Sequence, residues 1–273
     1  MRTWIRKGWG LTSRHKYVLV VLFLYRLLWG FFLYRFIDSV AAPVLARYPD
    51  AHPNANAVRM FLIEAQFRLL KTDLVNETLI LLAGMFFLRM ILTPLLNAGL
   101  YYSFHHAGEE SGTRVLSGIR RCWKPVVLLY LTENVLALLP AVWLVPFAKA
   151  RFFAQFSVQA WVLELLPYAG AWAAWMFLLR LLFRFMQFGA VSRDGIVKGL
   201  LRACANVLPL AAVTLLMLGI AAAASLAVTS ATMIWTGFVS IAVHQAFQFV
   251  RTMMSVWTAA SQFALWKADE AKG

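Results

Sequence analysis

An all-α polytopic membrane bundle is the fold class this sequence predicts: six transmembrane helices with interfacial amphipathic helices and a three-fold internal repeat, in one domain, 1–273. Three observations predict it. The chain is 62% hydrophobic with a mean hydropathy of +0.69, whereas soluble domains are typically about 45 to 50% apolar. Six apolar runs, at approximately 17–37, 74–104, 125–148, 167–191, 206–229 and 232–265, reach the roughly 20 residues a helix needs to cross a hydrocarbon core. One phrase recurs in three of these runs, as Met85-Phe-Phe-Leu-Arg89, Met176-Phe-Leu-Leu-Arg180 and Phe247-Gln-Phe-Val-Arg251. Nine and ten residues beyond each arginine stands a small pair: Ala98-Gly99, Gly189-Ala190 and Ala260-Ser261.

The first span follows Arg2, Arg6, Lys7, Arg14 and Lys16. No small-residue cleavage site of the Ala-x-Ala type follows it closely, so it reads as a retained signal anchor. Further basic residues, Arg114, Arg120, Arg121 and Lys124, lie between spans two and three, and Arg193, Lys198 and Arg202 between spans four and five. The opposite loops mix Asp38, Asp50, Glu64 and Asp73 with Arg47, Arg59, Arg68 and Lys71. By the positive-inside rule both termini are expected in the cytoplasm. Much of the net charge of +14 then faces anionic lipid headgroups. A nucleic-acid partner is not expected, because no soluble domain presents that charge. Cys122 and Cys204 fall in the same cytoplasmic segments, where thiols stay reduced, and make no zinc pattern.

Before spans one, three and five stands a glycine with basic neighbours, in Ile5-Arg-Lys-Gly8-Trp, Val115-Leu-Ser-Gly118-Ile and Ile196-Val-Lys-Gly199-Leu. Each repeat unit is therefore a short interfacial helix, a span out, an outer connection and a span back, over approximately 1–107, 108–191 and 192–273. Such repeats commonly pack about a pseudo-symmetry axis with a binding site at their interface. Chance similarity among Leu-, Phe- and Arg-rich helices is the alternative. The outer connection shrinks from unit to unit: residues 56–70 and 152–166 read as amphipathic helices lying in the outer interface, whereas almost nothing remains between Ser230 and Thr232. Tyr48-Pro-Asp-Ala-His-Pro-Asn is a loop signal.

An arginine at the centre of a bilayer costs about 2.5 to 3.5 kcal/mol on insertion scales, so the recurring arginines are the candidate functional residues. Residues three or four apart share a helix face, which gives each returning span a polar stripe. The stripes are Arg89, Thr93 and Asn97; Arg180, Arg184 and Gln187; and His244, Gln248, Arg251 and Ser255. Arg26 on the first span and Glu133 and Asn134 on the third add polar groups at mid-depth. The functional reading is an inward-facing basic cavity for a lipid phosphate or carboxylate, formed by Arg26, Arg89, Arg180, Arg184, Arg251, Asn97, His244, Gln248 and Glu133. The structural reading has Arg26 or Arg180 pair with Glu133 while the others bond carbonyls, waters and amides within the bundle. One acid cannot neutralise five arginines.

No catalytic set can be named. Glu109-Glu110-Ser-Gly-Thr-Arg114 matches a phrase of the CAAX-type intramembrane proteases, but the later histidines those enzymes need are missing, which leaves a solvated charge cluster. His105-His106 supply no complete coordination set, so neither a metal nor a cofactor is expected. Trp4, Trp9, Tyr101, Tyr102, Trp123 and Trp266 flank inner boundaries and read as interfacial belt residues. The small pairs read as sites of close helix contact.

The repeated basic helix, glycine and paired spans resemble the membrane domain attached to some bacterial glycerophosphodiester phosphodiesterases and related six-span proteins. The resemblance is one of pattern over most of the chain, without that family's soluble barrel. It implies architecture and contact with lipids, and it carries over no catalytic residue. The expectation is a non-enzymatic protein of the bacterial cytoplasmic membrane that binds or moves an amphipathic anion, with membrane lipids, anionic ones among them, as partners. The alternative is a scaffold or regulatory subunit whose cytoplasmic basic helices dock a partner protein.

Overall fold

The computed structural model describes residues 1–45, 60, 74–106, 111–154, 158–234 and 238–270. Eight helices are found among them, and no strand. They are α1 (Arg2–Arg14), α2 (Lys16–Leu45), α3 (Leu74–His105), α4 (Ser111–Ala154), α5 (Val158–Ser192), α6 (Ile196–Ala205), α7 (Val207–Ile234) and α8 (Phe238–Glu270). Five of these, α2, α3, α4, α5 and α7, are long and apolar enough to cross a membrane, and the chain is a multi-pass helical membrane protein on that ground. The last helix, expected as a sixth span, has the length but is not among the five. Arg251 and the cluster Lys267, Asp269 and Glu270 dilute its apolar content.

The chain divides into two compact units, one of Met1–Val20 with Thr93–Gly273 and one of Val21–Leu92. The larger unit is organised by glycine contacts. A Cβ on Gly8 of α1 would lie 2.7 Å from the Ser261 nitrogen and 2.8 Å from its Cα on α8. One on Gly118 of α4 would lie 2.5 Å from Tyr102 Cβ and 3.1 Å from Gly99 Cα on α3. One on Gly199 of α6 would meet the Phe185 carbonyl at 2.6 Å and Met186 Cα at 3.0 Å on α5, and one on Gly189 of α5 would lie 3.2 Å from Gly199 Cα. Each glycine of the basic segments thus rests beside a small pair that follows one of the recurring arginines. The residue four beyond each glycine, on the same face, is buried as well: Thr12, Cys122 and Ala203.

Seven residues past each glycine the helices differ. His15 ends α1, its Nδ1 2.7 Å from the Leu11 carbonyl, and Asn206 ends α6 by donating Nδ2 to the Arg202 carbonyl at 3.1 Å. In both cases a side chain serves the carbonyl four residues back that a helix end leaves open. The corresponding residue of α4 is Pro125, and α4 runs through it without a break, so the middle unit has no separate interfacial helix of the expected kind. Proline has no N–H to give the Arg121 carbonyl and no side chain with which to cap it. The second basic segment, around Gly118, remains one helix with its span.

Pro140 likewise leaves the Leu136 carbonyl without its intrahelical donor. Trp175 of α5 supplies the bond instead, Nε1 to Leu136 oxygen at 3.1 Å, and Trp172 donates to the neighbouring Ala137 carbonyl at 2.8 Å. Leu129, Leu179 and Phe183 pack between the two helices below this point, with Leu136 and Ala137 against them. Where α4 ends, Arg151 pairs with Glu164 at 3.2 Å and Trp161 donates to the Ala148 carbonyl at 2.9 Å. These contacts stand 158–166 antiparallel to α4 as the start of α5, which corrects the expectation of a helix lying flat in the interface over 152–166. The third connection also lies later than expected, since α7 continues to Ile234, with Thr232 bonded to the Thr229 carbonyl at 2.9 Å. The expected outer helix at 56–70, the loop at 48–54 and Glu109-Glu110 fall outside the described residues.

The smaller unit takes in the rest of α2 and the first part of α3, and holds Arg26 and Arg89, both exposed. Tyr25 and Trp29 of α2 meet edge to face at 6.3 Å. Its boundary on α3 falls beside Pro94, where the intrahelical bond to the Met90 carbonyl is lost.

Candidate intramembrane arginine site

Three helices of the larger unit, α3, α5 and α8, are brought together by rings near their C-terminal ends. Tyr101 meets Phe188 edge to face at 4.9 Å, Phe188 meets Phe263 at 5.6 Å, and Phe104 lies 5.6 Å from Phe263. All four rings are buried. Such contacts fix the rotation of each helix, because aromatic pairs favour offset and edge geometry. Tyr101, Tyr102 and Trp266 are therefore core residues, a correction to their expected place in an interfacial belt. Their rings fill the space that three converging helices leave. Trp9 and Trp123 remain exposed.

Arg184 lies one turn above Phe188 on α5. Its Nη1 donates to Gln262 Oε1 of α8 at 2.6 Å, Gln262 Nε2 donates to Thr214 Oγ1 of α7 at 2.7 Å, and Thr214 donates to the Leu210 carbonyl at 2.7 Å. The Arg184 charge also acts on the buried Tyr101 hydroxyl of α3. The chain of bonds that starts at this guanidinium thus ties α5, α8 and α7 together, as charge-assisted bonds in an apolar setting favour. Its charge and that of Arg180 act on Glu133 of α4, and neither arginine closes an ion pair with it among the described residues.

Arg180 and Arg251 differ from Arg184. Both are exposed, and among the described residues neither makes a side-chain hydrogen bond or ion pair. Their direction follows from helix geometry. Arg180 is four residues from Arg184 and shares its face. Arg251 is eleven residues from Gln262, which at about 100° per residue is three turns and roughly 20°, again one face. Because Arg184 and Gln262 are bonded, these two faces oppose one another. Counted from Phe188 and Phe263 at about 1.5 Å per residue, Arg180 and Arg251 stand about 12 and 18 Å along their helices from the ring hub. Helix geometry thus puts Arg180 and Arg251 on the faces that carry Arg184 and Gln262, about one and three turns from that bond.

Of the other expected site residues, Gln248 is half-buried on α8, and its carbonyl accepts from Thr252 at 2.9 Å. Asn97 is half-buried one turn before Tyr101, and the side chain of His244 lies outside the described residues. Arg26 and Arg89 belong to the other unit, and neither is unpaired. Sequence reasoning missed Gln262 as the partner of Arg184, Thr214 as the partner of Gln262, and Tyr101 as a neighbour under the Arg184 charge. Two of them carried a signal: Gln262 repeats the face of Arg251 three turns on, and Thr214 interrupts a long apolar run.

Among the described residues no group of histidine, cysteine and acidic side chains could hold a metal ion. His105 sits edge-on to Phe263 at 4.6 Å and to Trp266 at 5.2 Å, while His106 stacks on Tyr102 at 4.0 Å. The adjacent histidines thus serve two separate ring clusters. Both cysteines are free, Cys122 buried and Cys204 exposed. No protein-family model, no curated protein and no solved structure matches this chain.

Proposed function

We propose that this is a non-catalytic membrane protein of six spans in three repeat units, 1–107, 108–191 and 192–273, that binds or moves an amphipathic anion at the face bearing Arg180, Arg184 and Arg251. The observation that carries this reading is that Arg180 and Arg251 make no side-chain hydrogen bond or ion pair among the described residues, whereas Arg184 does. An arginine that glues helices has a donor engaged by a neighbouring helix, as Arg184 has. Arg180 and Arg251 hold their charge at span depth, where it is costly, and beyond the Glu133 charge that Arg180 meets an anionic group or its water shell offsets that cost. The repeat reading draws support from the matched glycine contacts, and the sixth span from the 33-residue length of α8. Contact with lipids is what the pattern shared with the phosphodiesterase membrane domains implies.

The test is native mass spectrometry of the whole protein loaded with phosphatidylglycerol or phosphatidylcholine. Arg180→Leu with Arg251→Leu is expected to remove the preference for the anionic lipid while leaving the thermal midpoint within a few degrees of the parent. Retained preference in that folded variant would refute the site. Flux of a fluorescent anionic lipid in proteoliposomes, abolished by Arg251→Leu, separates moving from binding.

A second reading is a scaffold that docks a partner on its basic helices. The observation in its favour is that Arg2, Arg6, Lys7, Arg120, Lys124 and Lys198 are exposed. Co-purification of one stoichiometric partner, lost when these are changed to glutamine, supports it if no flux is seen.

A further inference from the structure

Between α4 and α5, away from the arginine face, lies a cavity of about 240 Å³ lined by Pro140, Trp143, Leu144, Tyr168, Trp172 and Trp175, with Ala171. It lies within the apolar spans Val115–Arg151 and Trp161–Ser192. Trp143, Tyr168 and Trp175 are all more than a third exposed, so the cavity opens sideways onto the hydrocarbon. Its walls are held in place: Trp172 and Trp175 are bonded to the Ala137 and Leu136 carbonyls, and Trp143 stacks on Phe147 at 5.2 Å with Tyr168 edge-on to both.

The aromatic wall leads to a charged end. Phe147 carries the Arg151 guanidinium 5.4 Å above its ring, so Trp143, Phe147 and Arg151, each four residues apart, form one stripe. Arg151 pairs with Glu164 at 3.2 Å and remains about half exposed. From Pro140 to Arg151 is eleven residues, or about 16 Å, close to half of a roughly 30 Å hydrocarbon core. That is the depth one leaflet's acyl chain covers. The charges are complementary to one headgroup type. A phosphate reaching Arg151 also meets the Glu164 carboxylate, which suits a lipid whose phosphate is followed by an ammonium and opposes one that carries only negative charge.

We infer that this groove is a lipid site, separate from the arginine face, that seats one acyl chain of a zwitterionic aminophospholipid of the phosphatidylethanolamine class. The phosphate lies on Arg151, the ammonium faces Glu164 and the chain lies along Trp143, Trp175 and Pro140. The inference stands whether or not Arg180 and Arg251 bind an anion.

The test delipidates the purified full chain in detergent, adds phosphatidylethanolamine or phosphatidylglycerol, and measures retained lipid by native mass spectrometry. The parent is expected to retain the ethanolamine lipid in preference. Trp143→Ala lowers its retention about five- to tenfold by removing the exposed aromatic wall, and Trp143→Phe restores most of it. Glu164→Gln removes the preference between the two lipids. Leu216→Ala, an exposed apolar change on α7, leaves both unchanged. Equal retention by the parent of both lipids, unchanged retention in Trp143→Ala, or an apolar partner helix co-purifying in the groove in place of lipid would each overturn the inference. Thermal midpoints measured alongside keep the Trp143 result readable, since its exposed ring makes no hydrogen bond among the described residues.

Discussion

Adding one methyl group at a glycine should move stability in opposite directions depending on which glycine receives it. Gly8→Ala places a carbon 2.7 to 2.8 Å from the backbone of Ser261, and Gly199→Ala places one 2.6 Å from the Phe185 carbonyl. Ordinary contact begins at 3.4 Å, so α1 or α6 must withdraw by about 0.6 to 0.8 Å. The obstacles are backbone atoms, and no rotamer change relieves them. Overpacking of this kind typically costs about 1 to 3 kcal/mol. Gly219→Ala and Gly170→Ala meet nothing within 4 Å. There the helical preference of alanine over glycine, about 1 kcal/mol, is the main effect and favours the variant. The assay is unfolding of the purified protein in mild detergent, followed by tryptophan fluorescence against denaturant. The expected result is a lowered midpoint for Gly8→Ala and Gly199→Ala and an unchanged or raised one for Gly219→Ala and Gly170→Ala. If all four variants shift in the same direction, the close contacts do not organise the larger unit, and the reasoning fails.

Other predictions concern single hydrogen bonds. Arg184→Leu and Gln262→Leu, taken singly and together in a double-mutant cycle, should show a coupling of about 1 to 3 kcal/mol, since the bond joins a charged donor to a buried amide; a coupling near zero would mean that the guanidinium is not engaged by Gln262. Trp175→Phe should cost about 1 kcal/mol by orphaning the Leu136 carbonyl, and Pro140→Ala should recover part of it by supplying the missing N–H; additive losses in the melting midpoints would count against the bond. Trp257→Phe removes the donor to the Ile5 carbonyl, a 2.9 Å bond, and should speed proteolysis within α1 about fivefold, which a time course with trypsin measures.

The helical class, the places of α1, α2, α3, α7 and α8, and the close-contact role of the small pairs were legible because they rest on local composition and on spacing. A glycine beside a basic helix and a small pair late in a span each announce a short interhelical distance. What the sequence could not tell was which glycine meets which pair, because partner choice is a property of the assembled bundle. The belt reading of Tyr101, Tyr102 and Trp266 failed for a related reason. An aromatic residue near a span end looks alike whether its ring faces headgroups or three neighbouring helices. The arginines were legible as a set and misleading as equals. Arg184, off the repeated position, is bonded to Gln262, while Arg180 and Arg251 make no such bond among the described residues and Arg26 and Arg89, each with an interaction of its own, fall in the other unit. Its partner Gln262, and Thr214 bonded to that glutamine in turn, are far away in sequence, and polar residues in apolar helices carry no mark of whom they will meet.

The three glycine contacts are chemically alike but topologically unequal. Gly99 and Gly118 are 19 residues apart and Gly189 and Gly199 only 10, whereas Gly8 and Ser261 are separated by 253. With closure entropy growing as three-halves RT times the logarithm of loop length, the last contact costs about 2 to 3 kcal/mol more than the other two. A methyl-free surface alone gives it no advantage over them, so its interface must hold something the others lack. It does. Six residues past the recurring arginines stand Leu95, Met186 and Trp257, and only the tryptophan can donate, as it does to the Ile5 carbonyl at 2.9 Å. One residue past the glycines stand Trp9, Ile119 and Leu200, and Trp9 meets Trp257 edge to face at 4.9 Å. A net hydrogen bond of about 1 kcal/mol and an aromatic pair of about 0.5 to 1.5 kcal/mol together match the extra closure cost. The two tryptophans thus sit where the chain must bring its first helix to its last, and the local contacts, which need no such help, have aliphatic residues at the same positions.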